Sequence, residues 1–216
     1  MPEKRAVIFA NGEIKEKALV RGLLEARDWL IAADGGVYHI LKLGRVPSLL
    51  IGDLDSTQPA DIQRFEAQGV EIRRFPVDKN ETDLDLAIQA ALDAGYKRIL
   101  LVAALGGRLD QTLGNLFLLT QPALEQVDIR MEDGRDEVLL IRKRAEIHGQ
   151  PGDTISLLPI NGPVHGITTT NLKYPLNSET LLPEKTRGIS NRMLTAHAIV
   201  EISSGMLLCI HTRKFR

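Results

Sequence analysis

Two apolar patterns alternate along the first two-thirds of the chain. Short β-rich runs, AVIFA, WLIAA, SLLIG, EIRRFPV, RILLVAAL and VDIRM, have the length of strands, and near-continuous apolar ones such as RILLVAAL suggest burial on both faces. Between them, KEKALVRGLLEA, VYHILKLG, PADIQRFEAQ, TDLDLAIQAALDAG and LDQTLGNLFLLTQ repeat apolar residues every three or four positions, which predicts amphipathic helices. A βα alternation with strands apolar on both faces predicts a mostly parallel sheet with helices on both faces. After EDGRDE the helical period stops. EVLLIRK, DTISLLPI, HAIVEIS and MLLCIHT are separated by Gly, Pro, Asn and Asp clusters, predicting a C-terminal all-β, sandwich-like domain. The expected division is therefore an α/β domain over residues 1–132 and a β domain over 133–216.

Composition removes several function classes. Lys plus Arg number 27 against 28 for Asp plus Glu, so there is no basic field to hold a nucleic-acid backbone. No apolar run approaches the roughly 18 residues of a membrane span, and the N-terminus lacks a signal-peptide pattern, so the expected compartment is the cytoplasm. The single cysteine, Cys209 in GMLLCIH, has apolar neighbours and reads as a buried, inert thiol. The five histidines show no close metal-ligand spacing; His39, close behind AADGG, is a candidate for supporting that loop.

The chemistry concentrates where predicted strands end. In open parallel sheets, ligands gather outside the carboxyl ends of the strands. Four such loops carry unusual residues: AADGG with Asp34, GDLDS with Asp53 and Asp55, PVDKNETD with Asp78 and Asp83, and ALGGRLD with Arg108 and Asp110. Each aspartate alone reads as a cap or turn residue, whereas four converging loops read as a site. If residues 53–55 stay extended, Asp53 and Asp55 share a face with Cα atoms ~6.5 Å apart. Such a pair suits Mg²⁺, which takes oxygen ligands and usually one or two carboxylates plus substrate phosphates. Gly106 and Gly107 permit close backbone approach to a phosphate, and Arg108 can grip one with two N–H groups. In DKNETDLDLAIQAAL, Asn80 or Thr82 caps a helix, and Asp83 is the preferred acid facing the site.

AADGG, IGDLDST, DKNETDLDLA, LGGRLDQTLGN, ISLLPI, TTTNLKYPL and GISN occur in an order and spacing that resemble the thiamine pyrophosphokinase family along nearly the whole chain. The resemblance implies Mg²⁺-dependent transfer of the pyrophosphoryl group of ATP to the hydroxyl of thiamine, giving thiamine diphosphate and AMP. It implies a catalytic, ATP- and Mg-binding N-terminal domain, a thiamine-binding C-terminal domain, and a homodimer with sites at the subunit interface. By position it puts Asp34, Asp53, Asp55 and Asp83 at the catalytic centre, with Asp53, Asp55 and Asp83 on the metal. It places Thr82, Arg108, Asp110, Gln111 and Asn115 with ATP, and Tyr174, Ser190 and Asn191 with thiamine. Tyr174 stands where some members carry a Trp that stacks on thiamine, Asn80 where many carry Asp, and Ser48 where Asp often precedes the strand. Three other readings remain open on the residues. DLDST fits the DxDxT pattern of aspartate-nucleophile phosphatases of the haloacid dehalogenase type, with Asp53 as nucleophile. A pyrophosphokinase acting on a pterin alcohol would share the acidic loops, and a nucleotide-binding or thiamine-sensing module would bind without turnover. GxxxxGK[ST] does not occur, which disfavours a P-loop kinase.

Overall fold

The computed structural model describes residues 4–215. Its contacts divide the chain into Met1–Gly134 and Arg135–Arg216, against the boundary expected at 132.

The first unit contains strands β1 (Arg5–Phe9), β2 (Trp29–Ala33), β3 (Leu49–Gly52), β4 (Glu71–Arg74), β5 (Arg98–Val102) and β6 (Asp128–Glu132). All pair in parallel, in the order β4-β3-β2-β1-β5-β6. Register sets Ile8 beside both Ile31 and Leu101, giving an apolar row across the sheet centre. Residues of the opposite parity, Val7, Phe9, Leu30 and Leu50, face the other way and join one apolar core with Val20, Ile40 and Phe65. Those three come from helices α1 (Lys17–Leu23), α2 (Val37–Lys42) and α3 (Pro59–Ala67). Helix α4 (Asp83–Asp93) packs against β1, β2 and β3. It buries Leu84, Ala87, Ile88 and Ala91, the i, i+3, i+4, i+7 spacing that made it legible. Thr82 caps it, its Oγ1 accepting from Asp85 N at 3.2 Å, and Asp83 and Asp85 sit at the positive end of the helix. Helix α5 (Leu109–Leu118) has no fully buried residue, and Leu109, Leu113 and Phe117 form an exposed apolar stripe at i, i+4, i+8.

The second unit contains β7 (Asp136–Ile141), β8 (Arg144–His148), β9 (Thr154–Thr170), β10 (Glu179–Leu181), β11 (Asn191–Arg192), β12 (His197–Glu201) and β13 (Ser204–Thr212), all pairing antiparallel. The expected strands at EVLLIRK, DTISLLPI, HAIVEIS and MLLCIHT are present, but RAEIH and the continuation of β9 past residue 160 carried no clear signal. INGPVHG reads as a break. In the fold, the chain bends there without leaving the sheet: Asn161 and Gly162 have φ of 62° and 133°, and the β9 register shifts against both β13 and β10. The early half of β9 pairs with β13 and the late half with β12, and Ile155 and Leu157 meet Val164 and Ile167 in one core. Cys209 is wholly buried there. Among the described residues, no helix is long and apolar enough to cross a membrane.

Candidate active site

The sheet order places a topological switch between β1 and β5: β2 to β4 lie on one side of β1, while β5 and β6 lie on the other. Loops leaving the carboxyl ends of β1 and β5 therefore diverge, and a cleft opens between them. A cavity of about 470 Å³ lies there, with Asn11, Gly12, Asp34, Asp83, Gly106 and Arg108 among its walls. The loop after β1 was missed from sequence, because ANGE carries no charged constellation. Its only sign was its place after a first strand. His39 supports this loop rather than AADGG, with Nε2 3.0 Å from Gly12 O.

Three acids converge at the strand ends. One carboxylate oxygen from each of Asp34, Asp53 and Asp83 lies within 4.8 Å of the others. The backbone is shaped for this approach. Gly52, with φ +146°, ends β3, and a Cβ there would meet the Asp83 carboxylate at 2.9 Å and Asp34 Cβ at 3.3 Å. Asp34 itself takes φ +45° in a 3-10 turn, a conformation that Asp and Asn tolerate better than most residues. The turn lies close on β1: a Cβ at Gly36 would stand 1.9 Å from Phe9 O.

The extended reading of residues 53–55 is corrected. Leu54 has φ +64°, and Asp53 Oδ1 accepts from Asp55 N at 3.1 Å, so a tight turn replaces a strand. This sends Asp55 outward, exposed and accepting from Ser56 Oγ, while Asp34 takes the third place in the cluster. Asp78 is exposed, and Asp85 accepts from Gln121.

Lys79, also unnoticed from sequence, enters the cluster. Its Nζ is 3.1 Å from Asp83 Oδ1 and 3.7 Å from Asp53 Oδ2. Burial opposes its charge, but the two acids outweigh burial and its pKa is raised. Asp83 does not fall as a simple ion-pair partner would. Burial first, then the charges of Asp53 and Asp34, hold its carboxyl above the usual range against the pull of Lys79. The Lys79 contact lacks hydrogen-bond geometry, so Asp83 Oδ1 and Asp34 Oδ1 are both buried without a hydrogen bond among the described residues. Buried carboxylate oxygens with unspent acceptor capacity, facing one another, fit a hard divalent cation such as Mg²⁺.

Of the other expected nucleotide residues, Thr82, Arg108, Gln111 and Asn115 line the cleft and Asp110 does not. Thr82 caps α4, and Asn115 Nδ2 donates to Ala104 O at 2.8 Å, tying α5 to the β5 loop. Arg108 points both prongs at Asp110, at 3.1 and 2.5 Å, and is highly exposed. Asp110 therefore holds the guanidinium and is itself held below the usual carboxylate range, chiefly by that hydrogen bonding.

In the second unit, Tyr174 and Asn191 line a cavity of about 240 Å³ with Leu157, Pro175, Leu176 and Ile189. Asn191 Oδ1 accepts from Tyr174 N at 3.0 Å and its Nδ2 donates to Tyr174 O at 2.7 Å, so this amide clamps the aromatic loop. Tyr174 is 59 % exposed, with Lys173 Nζ 5.3 Å from its ring centroid. Ser190 is exposed with φ +60°, its N–H bonded to Ser156 Oγ.

Comparison with known proteins bears on both units. The family model described as "Thiamin pyrophosphokinase, catalytic domain" matches residues 20–131. A second, "Thiamin pyrophosphokinase, vitamin B1 binding domain", matches 139–207. The chain belongs to the thiamin pyrophosphokinase family. Thiamine pyrophosphokinase of Bacillus subtilis (strain 168) is 29% identical over 184 residues, spanning 84% of this chain and 86% of that protein. A crystal structure of thiamine pyrophosphokinase from Bacillus subtilis superposes with a TM-score of 0.85 at 28% identity, covering 98% of this chain and all of that one. The yeast thiamin pyrophosphokinase structure, at 17% identity and a TM-score of 0.77, shares the fold over 98% of this chain and 87% of its own. The match across both units disfavours the phosphatase reading of DLDST, since here two βα units precede that strand.

Proposed function

We propose that the chain carries out the reaction of its family, transfer of the pyrophosphoryl group of ATP to thiamine, at the cleft between the β1 and β5 loops. The observation that carries this assignment is the convergence of the Asp34, Asp53 and Asp83 oxygens beside the Gly106–Arg108 loop. These three acids would hold Mg²⁺, while Asp55, turned outward on the same turn as Asp53, stays outside their cluster. Bound there, the ion would neutralise charge on the transferring phosphates. Arg108, aligned by Asp110, supplies further positive charge to the polyphosphate. Thr82, Gln111 and Asn115 shape the wall against ATP.

The thiamine hydroxyl oxygen bonds to the β-phosphorus as the bond between that phosphorus and the α,β-bridging oxygen breaks. AMP leaves with the bridging oxygen, and the alcohol proton passes to a carboxylate of Asp53 or Asp83. Such transfer depends mainly on alignment and charge, with a base adding about 10²–10⁴-fold. Thiamine is held by the second unit: its cationic ring lies on the face of Tyr174 away from Lys173, the loop of Tyr174 being clamped by Asn191, with Ser190 beside it. The enzyme works as a homodimer, with its sites at the interface between copies. This reading is supported by the exposed Leu109, Leu113 and Phe117 stripe on the helix that also carries Gln111.

Mass analysis of products from Mg²⁺, ATP and either thiamine or a pterin alcohol tests the assignment. Thiamine diphosphate with equimolar AMP is expected. Formation of ADP, preference for the pterin, or binding without turnover would refute it.

A further inference from the structure

Lys79 poses a question that the acid cluster does not answer. A lysine whose side chain is only 11% exposed sits against Asp83 and Asp53, with Pro76 O accepting from its Nζ at 3.1 Å. A divalent ion held by those carboxylates at the short Mg²⁺–oxygen distance of about 2.1 Å would meet the ammonium at close range. Two cations that close repel at this part-buried site. The same residue also lines the cleft that takes Arg108 and Gln111, and its flexible stem lets the ammonium swing from the acids into that cleft.

We infer that Lys79 is a built-in counter-cation: it neutralises Asp53 and Asp83 when no metal is bound, and moves onto the polyphosphate when the metal enters with ATP. This rests on the cluster being the metal site. It assigns Lys79 two opposite effects. It competes with bare metal, and it favours the metal–nucleotide complex, since the displaced ammonium gains phosphate oxygens as new partners. Metal and nucleotide binding are thereby coupled through one side chain, so that the site resists loading by metal alone.

Mn²⁺ binding to the full chain, read by the electron paramagnetic resonance signal of the free ion, tests this without turnover. It is measured with and without the non-transferring analogue α,β-methylene-ATP, for wild type, Lys79→Met, Lys79→Gln and Lys79→Arg. Circular dichroism confirms the fold of each variant, and Lys79→Gln keeps a polar group at the position should Lys79→Met not fold. Without nucleotide, both neutral variants should bind Mn²⁺ at least tenfold more tightly than wild type, while the analogue in the presence of Mn²⁺ binds them at least threefold more weakly. Lys79→Arg should stay near wild type in both. Equal Mn²⁺ affinity in wild type and neutral variants, or weaker binding in the variants, would overturn the role of Lys79 and leave the metal site standing. Absence of Mn²⁺ binding to every form, with or without the analogue, would overturn the metal site and this inference together.

Discussion

Asp34→Asn should make the protein more stable and less active. Asp34 faces Asp53 and Asp83 with oxygens within 4.8 Å, and Lys79 pairs with the other two acids. Two like charges at that separation repel by roughly 3–4 kcal/mol at an effective dielectric constant of about 20. All three acids are only half-buried, so solvent reduces the released repulsion to about 1 kcal/mol. For a protein of this size that is a rise in Tm of about 2–4 °C. Asparagine tolerates the left-handed backbone at this position, so the turn that carries it should survive. Turnover should fall by at least about 10²-fold, because a charge that holds the metal against the phosphates is worth several kcal/mol in the transition state. The assay is thermal unfolding in EDTA together with AMP release in Mg²⁺, ATP and thiamine. A lower Tm, or turnover within a few-fold of wild type, would refute the picture of stored repulsion relieved by a metal.

The other predictions concern the second unit and the nucleotide. Tyr174→Ala should raise KM for thiamine about tenfold with little change in KM for ATP, since a cation over an aromatic face contributes about 0.5–2 kcal/mol; a selective effect on ATP would count against it. Asp110→Ala should raise KM for ATP by a few-fold while leaving KM for thiamine alone, because Arg108 loses the partner that aligns it; steady-state kinetics in both substrates decide this. Stability should also depend on pH through His211. Its Nε2 lies 2.9 Å from Asp153 Oδ2 and its Nδ1 3.3 Å from Glu137 Oε2, in a fully buried position. Burial pulls its pKa down, but the two carboxylates outweigh this and raise it, while burial of Asp153 is outweighed by the N–H donors of Lys214 and Gln150 and by His211, which lower its pKa. A raised histidine contributes fully below its unfolded value of about 6.5 and is lost as pH climbs through the folded value; a lowered carboxylate contributes above about 3.9 and is lost on acidification. Urea unfolding against pH should therefore show a plateau between these limits. His211→Gln should flatten its alkaline side, and an unchanged alkaline limb in that variant would sink the assignment.

Much of this protein is legible without coordinates because its local patterns agree with its fold. The helix over Asp83–Asp93 follows from Thr82 and the spacing of Leu84, Ala87, Ile88 and Ala91, and the strands from their apolar runs. The acids were readable as chemistry because four loops leaving one edge of the sheet carry them, although each alone reads as a cap or turn residue. Other features were silent. Leu54 gives no hint of its left-handed turn, which swaps Asp55 for Asp34 in the cluster, and INGPVHG looks like a loop although β9 bends through it.

The amino-acid order determined most of the strands and helices and which residues carry charge at strand ends. Strand order was decided only in three dimensions, and with it the switch between β1 and β5, the part played by Asn11 and Gly12, and the position of Lys79 among the acids. The reason is physical. Periodicity records which face of an element is buried, whereas strands pair through backbone groups that every residue carries, so which strand lies beside which is settled by the packing of the whole unit.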